Sequence, residues 1–175
     1  MPQPSRTFLK IIRIVDAIGA WSGKFACWLI LPLTGGMTYE VIARYVFRAP
    51  TIWAFEISYM LYGSLFMLGA AYCLLRRGHI RCDFIYEKFN PKTQGLIDAI
   101  CYLFLFFPGM ILFLIAGWES AYYSLVMREL SEVSPWRPPI YPFKMVIPVS
   151  AFLLILQGVS EMLKSLWAAR HGEWL

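Results

Sequence analysis

Four long apolar runs constrain this chain more than any other feature of its sequence. The clearest extends from Ile57 to Leu75, 19 residues without a charge, which is long enough to cross a bilayer as a helix. Four spans are predicted, at about 24–47, 53–75, 93–118 and 141–166, and the third helix is expected to continue to about residue 130. Because four spans in 175 residues leave only short connections, the sequence predicts an all-α integral membrane protein without a soluble catalytic domain.

Basic residues are distributed unevenly between the two sides of these spans. Of the 16 Lys and Arg, 11 lie in the N-terminal segment, the loop after Leu75 and the C-terminal segment. Cytoplasmic loops carry the excess of Lys and Arg, so both termini are predicted to be cytoplasmic. Because the basic residues flank the apolar spans, the net charge of +5 does not indicate a nucleic-acid partner. No cleavable signal is expected, and the first span should act as an uncleaved anchor.

An amphipathic segment at residues 5–22 precedes the first span. Apolar residues recur at helical spacing along one face, namely Phe8, Ile11, Ile12, Val15 and Ile18. Another face carries basic residues, namely Arg6, Lys10 and Arg13. This pattern favours an interfacial helix that contacts anionic phospholipids. The alternative is that the segment is only the polar start of span one.

Proline and glycine mark irregular positions within the spans. Pro32 with Gly35–Gly36 predicts a kink or a close helix contact, and Pro108–Gly109 predicts a bend. Gly19 and Gly23 form a small-x-x-x-small pair that can admit a neighbouring helix.

Ionisable residues near one end of the first two spans are structural candidates. Glu40 and Arg44 have the spacing and order of an intrahelical ion pair. A pair at membrane depth is costly unless it faces protein or water, so it should point at a partner helix. The alternative is a pair that reaches the headgroups. Trp53 is predicted at interfacial depth, with Glu56 buried about one turn further in.

The loop after Leu75 contains Gly78, His79, Arg81 and Asp83 in close succession. One interpretation is that Arg81 and its neighbours lock the turn between spans two and three by hydrogen bonds, with Gly78 ending the helix. The alternative is that the arginines only anchor the loop to lipid phosphates. A metal site is disfavoured, because closed zinc sites draw four well-spaced ligands.

Several chemistries lack the residues they need. The histidines, His79 and His171, lie outside the spans, and no Cys-x-x-Cys pair is present, so transmembrane haem and thiol redox chemistry are not supported. We predict no catalytic, cofactor-binding or metal-binding residue, and no enzyme. The remaining classes are a subunit that supports another membrane protein and a small channel, the latter disfavoured by the lack of polar pore residues.

Four short sequence strings are similar to those of a known protein family. They are Glu40–Phe47 (EVIARYVF), Pro50 with Trp53–Glu56 (WAFE), Leu68–Tyr72 (LGAAY) and Gly78–Asp83 (GHIRCD). In order and spacing the chain resembles the small membrane subunit, DctQ type, of tripartite ATP-independent periplasmic (TRAP) transporters. It departs from many members at Phe55, where they carry a second acid, and at Cys82, where they carry valine. Strings near residues 131–134, 139–144 and 156–158 are similar to a subgroup for monocarboxylates, 2-oxo acids, mannitol or chloroaromatic acids.

The resemblance implies a single small-permease domain over residues 1–175, in the bacterial inner membrane. A periplasmic binding protein would deliver an organic acid to a large membrane subunit, which moves it with sodium ions that it binds itself. The small subunit would be a scaffold, or stator, for the large one. Four residues on the predicted periplasmic side are docking candidates, namely Arg48, Arg128, Trp136 and Arg137. The alternative is an assembly or anchor subunit of another inner-membrane complex.

The charge distribution predicts that Trp136 is periplasmic while both termini are cytoplasmic. Reporter fusions at residue 136 and at the C-terminus should therefore report opposite compartments. If both fusions report the same compartment, the four-span topology is wrong.

Overall fold

The computed structural model describes residues 6–76, 78 and 89–174, and their regular elements are helices. These are α1 (Arg6–Trp28), α2 (Ile30–Tyr45), α3 (Ala54–Leu75), α4 (Pro91–Cys101), a π-helical turn (Tyr102–Phe106), α5 (Phe107–Val126) and α6 (Tyr141–His171). Four helical stretches are long and apolar enough to cross a membrane, at residues 6–45, 54–75, 91–126 and 141–171. The prediction of an all-α chain with four candidate spans is confirmed.

The first stretch is broken at Leu29. Pro32 has no N–H to donate to the carbonyl oxygen of Trp28, and its ring clashes with that carbonyl, so the helix must end there. The N–H of Leu29 instead makes a tighter bond of 3.0 Å to the carbonyl oxygen of Ala26. The kink predicted from Pro32 is confirmed. By contrast, a Cβ atom added at Gly35 or Gly36 would meet nothing within 4 Å in the described chain.

The amphipathic segment and the start of span one form one helix, α1, so the boundary expected near residue 23 lies six residues later, at Leu29. Residues of α1 pack against α3 and α6 along its length. A Cβ at Gly19 would lie 2.6 Å from Oε1 of Gln157, and one at Gly23 would lie 2.4 Å from the ring of Tyr72. The predicted helix contact at this glycine pair is confirmed. The placement of α1 in the membrane surface stays a prediction.

Helix α6 is the central element of the assembly. It packs against α1, α3, α4 and α5, whereas α2 packs mainly against α3. The buried positions of α6 are mostly small or polar, and they include Ser150, Ala151, Gly158, Ser165 and Ala168. Small residues let helix backbones approach closely, which is the main source of packing energy where lipid removes the hydrophobic driving force.

The third stretch contains the irregularity that Pro108 predicts. Since Pro108 cannot donate to the carbonyl of Phe104, the preceding turn is free to widen, and residues Tyr102–Phe106 form a π-helical turn. Its aromatic rings pack edge to face, with the centroids of Tyr102 and Phe106 5.4 Å apart.

Helix α5 ends at Val126, four residues before the end expected from the sequence. The N–H groups of Arg128 and Glu129 donate to the carbonyl oxygens of Leu125 (3.2 Å) and Ser124 (3.0 Å), with Arg128 in the left-handed conformation at φ 48°. This is the Schellman arrangement, which satisfies the last carbonyls and turns the chain away from the helix axis. The predicted helical continuation to residue 130 is wrong for that reason.

The connection from residue 127 to 140 is a closed loop, and its prolines are incompatible with a helix interior. Its ends are joined by hydrogen bonds from Ser131 N–H to Pro138 O (2.8 Å) and from Ile140 N–H to Glu129 O (3.0 Å). Helix α6 then extends to His171, beyond the predicted end at residue 166, and Gly172 closes it at φ 77°.

Replacement of Gly95 by alanine should destabilise the protein, because the new Cβ would lie 2.5 Å from the backbone of Ser165 and Ala169 on α6. Overpacking of this kind costs about 1–3 kcal/mol, more than the roughly 0.5–1 kcal/mol that alanine gains in a helix. Gly109→Ala is the matched control, since a Cβ there meets nothing within 4 Å. Thermal unfolding in detergent should show a lower Tm for Gly95→Ala only. Equal Tm values for the two variants would contradict the close α4–α6 contact.

Candidate functional site: buried charges and exposed arginines

The predicted ion pair between Glu40 and Arg44 is present. Oε1 of Glu40 accepts hydrogen bonds from Nη2 (2.5 Å) and Nε (2.9 Å) of Arg44. Its other oxygen, Oε2, accepts from the backbone N–H of Thr51 (3.0 Å) and from the Thr51 hydroxyl. The carboxylate therefore joins α2 to the turn before α3. Its second partner, Thr51, belongs to that turn and not to a neighbouring helix.

Thr51 and Trp53 precede α3 and both contact α2. Helix α3 begins at Ala54, with Trp53 at the N-cap position. The hydroxyl of Thr51 donates to Glu40. Trp53 stacks on Tyr39 of α2, with ring centroids 5.8 Å apart. Both residues therefore fix the corner between α2 and α3.

Glu56 is buried, as predicted, with 2% of its surface exposed. Its Oε1 accepts a hydrogen bond of 2.9 Å from the hydroxyl of Ser131, which is itself 4% exposed. Ser131 belongs to the loop between α5 and α6, so this contact fastens that loop to the start of α3. Burial of a carboxylate is costly without hydrogen-bond donors. The hydroxyl of Ser131 therefore stabilises Glu56 in its buried position.

Gly78 lies at the end of α3, where its N–H donates to the carbonyl oxygen of Cys73 (2.9 Å). A Cβ at Gly78 would lie 2.9 Å from Sγ of Cys73, which adds a steric reason for glycine at this position. The other loop candidates, His79, Arg81 and Asp83, fall outside the described residues, so the proposed turn lock stays a prediction.

The docking candidates Arg48, Arg128 and Arg137 share a backbone feature. Among the described residues they are the non-glycine residues with positive φ, at 54°, 48° and 47°. The left-handed backbone conformation is unfavourable for an arginine by about 1 kcal/mol. The surrounding hydrogen bonds must therefore stabilise this conformation. All three side chains are exposed, as is Trp136, and they follow or lie between helices at the predicted periplasmic side. The loops thus present three cations on fixed backbones.

A further ion pair closes the loop that carries two of these arginines. Nζ of Lys144 lies 2.5 Å from Oε2 of Glu129. The hydrogen bond from Lys144 lowers the pKa of Glu129 below its usual value. This contact is therefore present at neutral pH and is lost only as the pH falls through that lowered pKa.

A buried polar cluster between α1 and α6 was missed by the sequence analysis. Oδ1 of Asp16 accepts hydrogen bonds from the side chains of Gln157 (3.0 Å), Ser160 (2.7 Å) and Lys164 (3.1 Å). Lys164 also pairs with Glu161 at 2.7 Å. The polar residues of α6 recur every three or four positions, so the sequence indicates that they share one face of the helix. The sequence does not indicate that Asp16 on α1 is their partner.

Among the described residues, Lys164 is the one cation of this cluster, and it pairs with two carboxylates at a site where Glu161 is 3% exposed. We expect Lys164→Gln to destabilise the protein by about 3 kcal/mol, because it leaves the buried Glu161 and the partly buried Asp16 without a cation. Asp16→Asn should cost less, since Lys164 keeps Glu161 as a partner. Unfolding midpoints in detergent test this order. A larger loss for Asp16→Asn would contradict the central role of Lys164.

Comparisons with known proteins agree with this architecture. The family model for the DctQ component of tripartite ATP-independent periplasmic transporters matches residues 33–168. The chain is also similar to the sialic acid TRAP transporter permease protein SiaT of Haemophilus influenzae (strain 86-028NP), with 22% identity over 95 residues. That match covers 54% of this chain but only 15% of the relative's length. The protein belongs to the DctQ component family of TRAP transporters.

Proposed function

We propose that this chain is the small permease subunit of a sodium-coupled, binding-protein-dependent TRAP transporter that takes up an organic acid across the bacterial inner membrane. The observation that carries the proposal is the family match over residues 33–168, which includes α3, α4 and α5 and most of α2 and α6. Its partners would be a large membrane subunit and a periplasmic substrate-binding protein. Sodium and substrate would bind to the large subunit.

Three acids that connect separate segments of the chain support a scaffold role. Glu40 joins α2 to the following turn, Glu56 joins α3 to the loop after α5, and Asp16 joins α1 to α6. Each contact connects two segments of the chain, which stiffens the assembly. A rigid assembly is what a stator requires, since the large subunit needs a fixed surface against which its moving part can slide.

Outward apolar surface is available for such a partner. Helix α2 packs mainly against α3, so its other sides are free, including the positions of Gly35 and Gly36. Small residues on a free helix surface allow another helix to approach closely. We assign the exposed Arg48, Arg128 and Arg137 to electrostatic attraction of the binding protein, because exposed charges at an interface mainly raise the association rate.

The proposal is tested by co-expression of this chain with the large permease and the binding protein that are encoded beside it. The tagged chain should co-purify with the large permease. Proteoliposomes should then accumulate radiolabelled monocarboxylates or 2-oxo acids only with all three proteins and an inward sodium gradient. Co-purification with a complex that lacks a large permease would show instead that the chain is an anchor subunit of another assembly.

The docking role has its own variant. Replacement of Arg48, Arg128 and Arg137 by glutamine should reduce uptake most at low binding-protein concentration, because the loss is in association rate. Co-purification with the large permease should be unchanged. Arg170→Gln, an exposed charge at the opposite end of α6, is the control. Wild-type uptake by the triple variant at every binding-protein concentration would contradict this role.

A further inference from the structure

The outward side of α1 changes chemistry along the helix axis. Its inward side is buried against α3 and α6. The exposed side chains near its N-terminus include three cations, Arg6, Lys10 and Arg13. Those that follow are mostly apolar, namely Ile14, Ile18, Trp21 and Phe25, and Lys24 is the exposed cation among them. The outward side of α1 therefore has a basic half, Arg6–Arg13, followed by a mostly apolar half, Ile14–Phe25.

The basic half forms a shallow groove of about 370 Å³, in which Arg6, Lys10 and Arg13 lie beside Leu9, Ile14 and Ala17. Across the described residues, no carboxylate forms an ion pair with any of these three cations. Asp16, the acid nearest to them in sequence, is paired with Lys164. Positive charge near the start of a helix also opposes the helix dipole, so these residues do not stabilise α1 by themselves. Their charge is available for an anion.

An apolar groove of about 410 Å³ continues beyond this basic groove along the same helix. Ile18, Trp21 and Phe25 form its wall on α1, and α6 contributes Met145, Val149 and Leu153. The same three residues of α6 also border a second apolar groove of about 600 Å³ against α5. They therefore form a ridge between two parallel grooves, each of a size suited to an acyl chain.

We propose that this surface is a binding site for an anionic phospholipid. The lipid phosphate lies on Arg6, Lys10 and Arg13, and its acyl chains lie in the grooves on either side of the α6 ridge. A transmembrane helix of a partner protein would fill an apolar groove but would leave the three cations unneutralised, so a lipid accounts for both halves of the surface. The site requires that α1 extends from the headgroups into the hydrocarbon region of the membrane. It does not depend on the transport function.

The test measures binding of phosphatidylglycerol and phosphatidylcholine to the delipidated, purified full-length protein. Since one basic residue near an anionic lipid surface contributes about fivefold in affinity, Lys10→Gln/Arg13→Gln should weaken phosphatidylglycerol binding by about 25-fold. Lys92→Gln/Arg170→Gln removes the same charge from exposed positions elsewhere on the predicted cytoplasmic side and should keep the wild-type affinity. Val149→Trp should also weaken phosphatidylglycerol binding, because it narrows both grooves without a change of charge.

Each other outcome overturns the proposal. An equal loss in the two double variants would mean non-specific attraction of anionic lipid. Effective competition by inorganic phosphate would mean a site for a free anion. If Val149→Trp kept phosphatidylglycerol binding but released the large membrane subunit, the groove would be a protein interface.

Discussion

The ion pair network around Lys164 is the contact on which the arrangement of helices most depends. Glu161 on α6 is buried and Asp16 on α1 is partly buried, and Lys164 pairs with both. Because the network joins the first helix of the chain to the last, it fixes α1 along α6, and α3 packs against both. The glycine at position 19 then allows Gln157 to enter the same contact.

The same physical rule organises the opposite end of the bundle. Glu56 is buried and Glu40 is mostly buried, and each accepts a hydrogen bond from a segment outside its own helix. The donors are Thr51 in one turn and Ser131 in the long loop. Since a buried carboxylate without donors is costly, these loops cannot move away without a large loss of stability. The arginine-bearing loops are therefore held against the helices.

These contacts give the molecule stiff connections inside and apolar surfaces outside. Such a combination suits a subunit whose task is to hold a larger partner in place, and it is consistent with membership of the DctQ family. The outer surface is not uniform. The free side of α2 carries small residues that favour a helix partner, whereas the outer side of α1 carries cations and apolar grooves that favour lipid.

The sequence by itself determined the features that depend on neighbouring residues. The four spans follow from apolar run length, the break before α2 follows from Pro32, and the pair of Glu40 and Arg44 follows from helical spacing. Only the tertiary structure decided which distant groups meet. The partners of Asp16 lie up to 148 residues away and Ser131 lies 75 residues from Glu56, because the rotation and crossing of packed helices select these contacts. Local periodicity carries no information about that choice.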